Sequence, residues 1–89
     1  MPDMPESLHG RWTDLVEAIR GECGDHGQQP DLLEVDETTL SARLPIHRDT
    51  WHSECFHPEA ILRGNPAEIA ARFFERYHKA REAGGPAPG

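Results

Sequence analysis

Leu40-Ser41-Ala42-Arg43-Leu44-Pro45-Ile46 carries an apolar side chain at every second position, with Ser41, Arg43 and Pro45 between them. A period of two is the mark of a strand with one face buried and the other in water. Just upstream, Leu32-Leu33-Glu34-Val35 reads as a second short strand, and Asp36-Glu37-Thr38-Thr39 supplies a hairpin turn between the two. Pro45 has no N–H to donate, so its strand needs a free edge near its end.

Working outward from this hairpin, the period changes to that of a helix. Leu8, Trp12, Leu15, Val16 and Ile19 fall on one face of a helix expected over Pro5 to Arg20, with Asp3 as cap, Glu6 three residues on and Pro5 in the first turn. Gly21 and Gly24 are expected to end it, which leaves Cys23 in a glycine-bounded turn. The run Gly24 to Pro30 is turn chemistry that leads into the hairpin. On the other side, Pro58 opens a short helical turn through Leu62 that Gly64 closes. Asn65, Pro66 and Glu68 then mark the start of a long helix whose stripe is Ile69, Phe73 and Tyr77, flanked by Ala70, Phe74 and Ala80.

The expected fold is therefore α+β: helix, two-stranded antiparallel hairpin, short helix, long C-terminal helix, with both long helices on one face of the hairpin. Residues 1–83 form one small domain and residues 84–89 a disordered Gly/Pro tail. The expected core is Trp12, Leu15, Ile19, Leu33, Val35, Leu44, Ile46, Phe73 and Tyr77.

A chain of 89 residues has room for one core, and at 36% hydrophobic residues that core is modest. A metal, a partner or a second copy would reinforce it. The formal charge is −7, a sign that repels phosphate backbones, so nucleic acid is not the expected partner. The charge is uneven: residues 1–59 hold 4 basic and 13 acidic side chains, whereas residues 60–89 hold 5 and 3. With no apolar leader after a basic start, and no run near the roughly 18 apolar residues of a membrane span, the expected location is the cytoplasm.

The chain has 2 cysteines and 6 histidines, and their spacing draws attention. Cys23-Gly24-Asp25-His26 is a Cys-x2-His pair and His52-Ser53-Glu54-Cys55 a His-x2-Cys pair, with the hairpin between them. A two-residue gap lets two side chains reach one ion from a tight turn, and together the pairs supply the donors of a tetrahedral Cys2His2 zinc site. Zinc is thus the expected cofactor, held by Cys23, His26, His52 and Cys55, with His47 and His57 as alternative ligands. Trp51 and Phe56 would wall such a site from water. Metal-free packing of the same side chains and a Cys23–Cys55 disulfide are the competing readings.

Trp51-His52-Ser53-Glu54-Cys55-Phe56, preceded by a paired-ligand turn and a strand pair, resembles the Trp-(Tyr)-His-x2-Cys-Phe segment of poly(ADP-ribose) polymerase-type zinc fingers and the His-x2-Cys stretch of LIM domains. The resemblance covers residues 23–56 and implies Cys23, His26, His52 and Cys55 as ligands. Both families open with Cys-x2-Cys where this chain has His26, and the polymerase-type fingers grip DNA through basic surfaces where this chain is acidic. The resemblance carries over the metal site and not the DNA function.

No Gly-rich phosphate loop, nucleophile elbow or Ser/His/Asp pattern is present. Arg72, Arg76 and Lys79 form a basic helix face, either solvated and balanced by Glu68 and Glu75 or used to bind a partner. The expected function is a zinc-stabilised protein-interaction module, a regulator or accessory subunit whose partner is another protein. A metal-free acidic binding or inhibitor protein is the alternative. A small zinc hydrolase, with His47, His52 and His57 on the metal and Glu54 as base, is the third.

Overall fold

The computed structural model describes residues 6–83. Within them lie α1 (Glu6–Asp25), a 3-10 turn (Pro30–Leu32), β1 (Glu34–Asp36), β2 (Ser41–His47), β3 (Thr50–Cys55), α2 (Pro58–Arg63) and α3 (Pro66–Ala83). The class is α+β. The expected cap at Asp3 and Pro5 and the expected tail at 84–89 lie outside the described residues.

The hairpin turns out to be a three-stranded antiparallel sheet in the order β1-β2-β3. Its third strand, β3, is the segment expected to carry the ligand pair His52 and Cys55. A two-residue turn, Arg48-Asp49, joins β2 to β3, with an irregularity between Pro45 and His47. The strand was hidden because its inward positions are polar: His52 lies opposite Leu44 and Glu54 opposite Ala42. Pro45 meets its expectation by a different route. β1 reaches along β2 only to Arg43, so Pro45 has a partner on the β3 side alone.

The first helix also runs further than its glycines suggest. Gly21 and Gly24 lie inside α1, each costing about 1 kcal/mol relative to alanine. The apolar stripe continues from Ile19 to Cys23, both fully buried, and burying such side chains is worth about 1.5–3 kcal/mol each, which outweighs the glycines. The stop is Gly27, at φ 74°. Gln28 N–H donates to the Cys23 carbonyl at 2.7 Å and Gly27 N–H to the Gly24 carbonyl at 3.2 Å, a Schellman ending with His26 as the cap residue.

The C-terminal half follows its sequence signals closely. His57 caps α2, its Nδ1 accepting from the Glu59 N–H at 3.2 Å, and Gly64 ends that helix. Asn65 Oδ1 then accepts from the Ala67 N–H at 2.8 Å to start α3. A side chain at Gly64 would place its Cβ 2.5 Å from the Ala60 carbonyl oxygen and 2.8 Å from Ile69 Cδ1, so the α2–α3 corner needs glycine for close approach.

Helices α1 and α3 pack together over one face of the sheet. The core joins Leu8, Trp12, Leu15, Val16, Ile19 and Cys23 of α1 to Ala70, Phe73, Phe74 and Tyr77 of α3, with Ala42 and Leu44 beneath them. Of the expected core, Val35 and Ile46 are only partly buried and pack against its edge, while the other seven are buried. Among the described residues the opposite face of the sheet carries no helix, and it presents Glu34, Arg43, Trp51 and Cys55, all exposed.

Candidate functional site

The four expected zinc ligands do different structural work. Cys23 is a core residue at 0% exposure in the last turn of α1, and Cys55 is exposed on the open face of β3 beside Ser41. The two thiols are free. The His26 ring stacks on Phe74, with centroids 4.3 Å apart and planes within 6°, and its Nδ1 lies 2.8 Å from His78 Nε2. His52 Nε2 pairs with Glu54 Oε2 at 2.9 Å. Among the described residues, no group of three or more His, Cys, Asp or Glu side chains is arranged to hold a metal ion. The zinc-binding, zinc-finger-like reading is therefore corrected.

The physical reason is the location of the two pairs. A Cys-x2-His spacing converges on an ion from a turn, but here the helix continues through Cys23 and turns that side chain into the core. In β3 the two-residue gap between His52 and Cys55 is an odd separation along a strand, which sends the two side chains to opposite faces of the sheet. The alternative ligands are used otherwise: His57 caps α2, and His47 is exposed at the end of β2.

Burial pushes the Cys23 thiol above its ordinary value, with Arg20 opposing the effect. Burial likewise raises Tyr77, opposed by Arg81 and reinforced by Cys23. Burial thus favours the neutral form of both groups, and Tyr77 O–H donates to the Pro45 carbonyl at 3.1 Å.

Under the helices, the inward polar positions of β3 form a compact network. Glu54 is only 11% exposed; its Oε2 takes His52 and its Oε1 takes Arg76 Nη1 at 3.0 Å. The His52 ring sits 5.2 Å from the Phe73 ring. Arg76, expected on a free basic face, is thus tied to the sheet, and Lys79 lies 3.9 Å from Glu75. Arg72 lines a shallow cleft between α2 and α3 with Arg63 and Ile69.

The open face of the sheet has its own organisation. The Arg43 guanidinium lies 4.7 Å over the Trp51 ring, and its Nη2 and Nε reach Glu34 Oε1 at 2.6 and 2.9 Å. Glu34, Arg43 and Trp51 come from three successive strands. The cation–π contact and the fork of hydrogen bonds hold Arg43 flat against the sheet and leave Trp51 at 36% exposure. Sequence reasoning assigned Trp51 to the wall of a metal site. No apolar alternation marks residues 50–55, so its place opposite Pro45, on the same face as Arg43, left no signal in the sequence.

A second surface feature runs along the other edge of the sheet. Between α1 and β1 lies a cleft of about 430 Å³ lined by Trp12, Thr13, Val16, Glu17, Arg20, Val35 and Glu37. His9 Nδ1 and Glu37 Oε1, 3.1 Å apart, join α1 to the turn that follows β1.

Comparison with family models, with curated proteins and with solved structures finds no match to this chain. No described helix is long and apolar enough to cross a membrane.

Proposed function

We propose that this chain is a metal-free acidic binding domain that recognises another protein through the uncovered side of its sheet. The observation that carries this reading is the Glu34–Arg43–Trp51 arrangement on a sheet face that no helix covers among the described residues. Tryptophan and arginine are enriched among the residues that dominate binding energy at protein interfaces, tryptophan through a large rigid contact area and arginine through its planar fork of donors. Here the arginine is already fixed by Glu34, so little freedom remains to be lost on docking. The charge of −7 steers a basic partner toward this surface and disfavours nucleic acid.

The test compares the intact chain with a Trp51→Ala/Arg43→Ala double variant in pull-downs at low and moderate salt. The unaltered chain should recover a specific protein, binding should weaken as salt rises, and the double variant should bind about tenfold more weakly or worse. Equal recovery by the variant, no recovered protein, or retention of nucleic acid with a steep salt slope would each remove this reading.

A further inference from the structure

We infer that the cleft between α1 and β1 takes an extended, basic segment of the partner protein, which adds to the sheet as a fourth strand along β1. The inference rests on the protein-binding reading above and names the segment and the place it occupies.

Three observations converge on this cleft. β1 is an edge strand: it pairs with β2 on one side, and among the described residues no backbone hydrogen bond reaches it from another element. Edge strands offer a row of free N–H and C=O groups to an incoming chain. The floor of the cleft beside that edge is backed by the buried side chains of Trp12 and Val16 of α1, with half-buried Val35 of β1 as its accessible apolar surface. Its volume, about 430 Å³, falls in the range of ligand clefts. A chain lying along β1 would send alternate side chains onto this floor and the intervening ones outward.

The charge of the edge selects what those intervening residues are. Glu34, Asp36 and Glu37 follow one another closely along it, and Glu17 faces the cleft from α1. Arg43 is bound to Glu34 and His9 lies 3.1 Å from Glu37, which leaves Asp36 and Glu17 as the carboxylates here without a cationic partner among the described residues. Arg20 is the one basic residue in the lining of the cleft. A segment that alternates valine-like residues with lysine or arginine satisfies both the floor and the edge, since opposite charges across a strand pair attract and like charges repel.

The same reasoning argues against a second copy of this chain. Pairing β1 with β1 would set Glu34 and Asp36 against their own kind. The alternating basic and apolar stretch that this chain does possess, Ala42-Arg43-Leu44, lies in the central strand and is already paired on both sides.

The test uses the intact, isotope-labelled chain and two soluble probe peptides, acetyl-Lys-Val-Lys-Val-Lys-amide and acetyl-Glu-Val-Glu-Val-Glu-amide, titrated at low salt and followed by amide and indole chemical shifts. The lysine peptide should bind at least about tenfold more tightly than the glutamate peptide and move the Glu34–Glu37 amides and the Trp12 indole. A Glu17→Lys/Glu37→Lys variant should invert that preference, and because both side chains are exposed its melting temperature should stay close to that of the unaltered chain. Equal affinities, no binding of either peptide, shifts confined to Trp51 or to Arg72–Lys79, or peptide-independent shifts that grow with protein concentration would each overturn the inference. If the Trp51-dependent pull-down succeeds while the peptide test fails, the segment and its cleft are wrong and the binding function stands. Peptide binding without any recovered protein supports the cleft and removes the Trp51-centred surface.

Discussion

His26 Nδ1 lies 2.8 Å from His78 Nε2, so the residue that caps α1 is joined to α3 across 52 positions of sequence. The bond closes the end of the helix pair opposite the α2–α3 corner, and the stacking of His26 on Phe74 keeps the imidazole in place. Replacing His78 by alanine strands a half-buried ring nitrogen of His26 and should cost about 1 kcal/mol, read as a lower urea midpoint at unchanged slope. An unchanged midpoint would mean that water replaces His78 without loss.

Alkaline pH should destabilise the domain through Cys23 and Tyr77. Burial raises both groups in the folded state above their ordinary values of 9.0 and 10.0. Below those values both states hold the proton and stability is at its full level. As pH climbs from about 9 the unfolded chain releases protons that the folded chain still binds, so stability falls until the folded groups ionise as well. Urea unfolding at pH 7, 9 and 10.5 checks this, and Cys23→Ala should flatten the first part of the decline.

The two thiols should differ in kinetics. Cys55 is exposed on the open sheet face and Cys23 has no exposure at all. A thiol-specific chromogenic reagent at neutral pH should therefore modify one cysteine quickly and the second only at the rate of opening of α1. A Cys55→Ser variant should lose the fast phase alone. Two equal fast phases would show that Cys23 does not sit in the core.

Two glycines should respond to alanine in opposite directions. At Gly21 a new Cβ meets nothing within 4 Å, so Gly21→Ala should stabilise α1 by about 0.5–1 kcal/mol. At Gly64 the new Cβ collides with backbone, so Gly64→Ala should destabilise by about 1–3 kcal/mol. Thermal melts of both variants decide the matter.

These glycines also illustrate how far the sequence could be read. α2 and α3 were legible because their signals are local: a proline at the first helical position, a capping side chain before it and a glycine at the corner. α1 was legible at its apolar stripe and misleading at its end, because the glycines that weaken the helix are outvoted by burial of Ile19 and Cys23, which becomes visible only when α3 is in place. β3 was missed because its inward positions are His52 and Glu54, so no alternation of apolar residues marks it. Once that segment is a strand, its two-residue spacing splits His52 from Cys55, and the candidate site moves to Trp51, Arg43 and Glu34.

The position of Glu54 has a further consequence for how the molecule behaves in crowded solution. β3 is an outer strand of six residues without proline, the kind of edge along which chains stack into fibrils. Glu54 points inward from this strand, 11% exposed and paired with the largely exposed Arg76. A strand from another molecule laid along β3 would have to accommodate or bury this ion pair, and taking it further out of water carries a desolvation cost. An inward-pointing charge on an outer strand is one of the devices by which sheets avoid edge-to-edge pairing. Glu54→Val should make the sheet continuous with its neighbours' and turn concentrated samples turbid, with thioflavin-positive aggregates, under conditions where the unaltered chain stays clear.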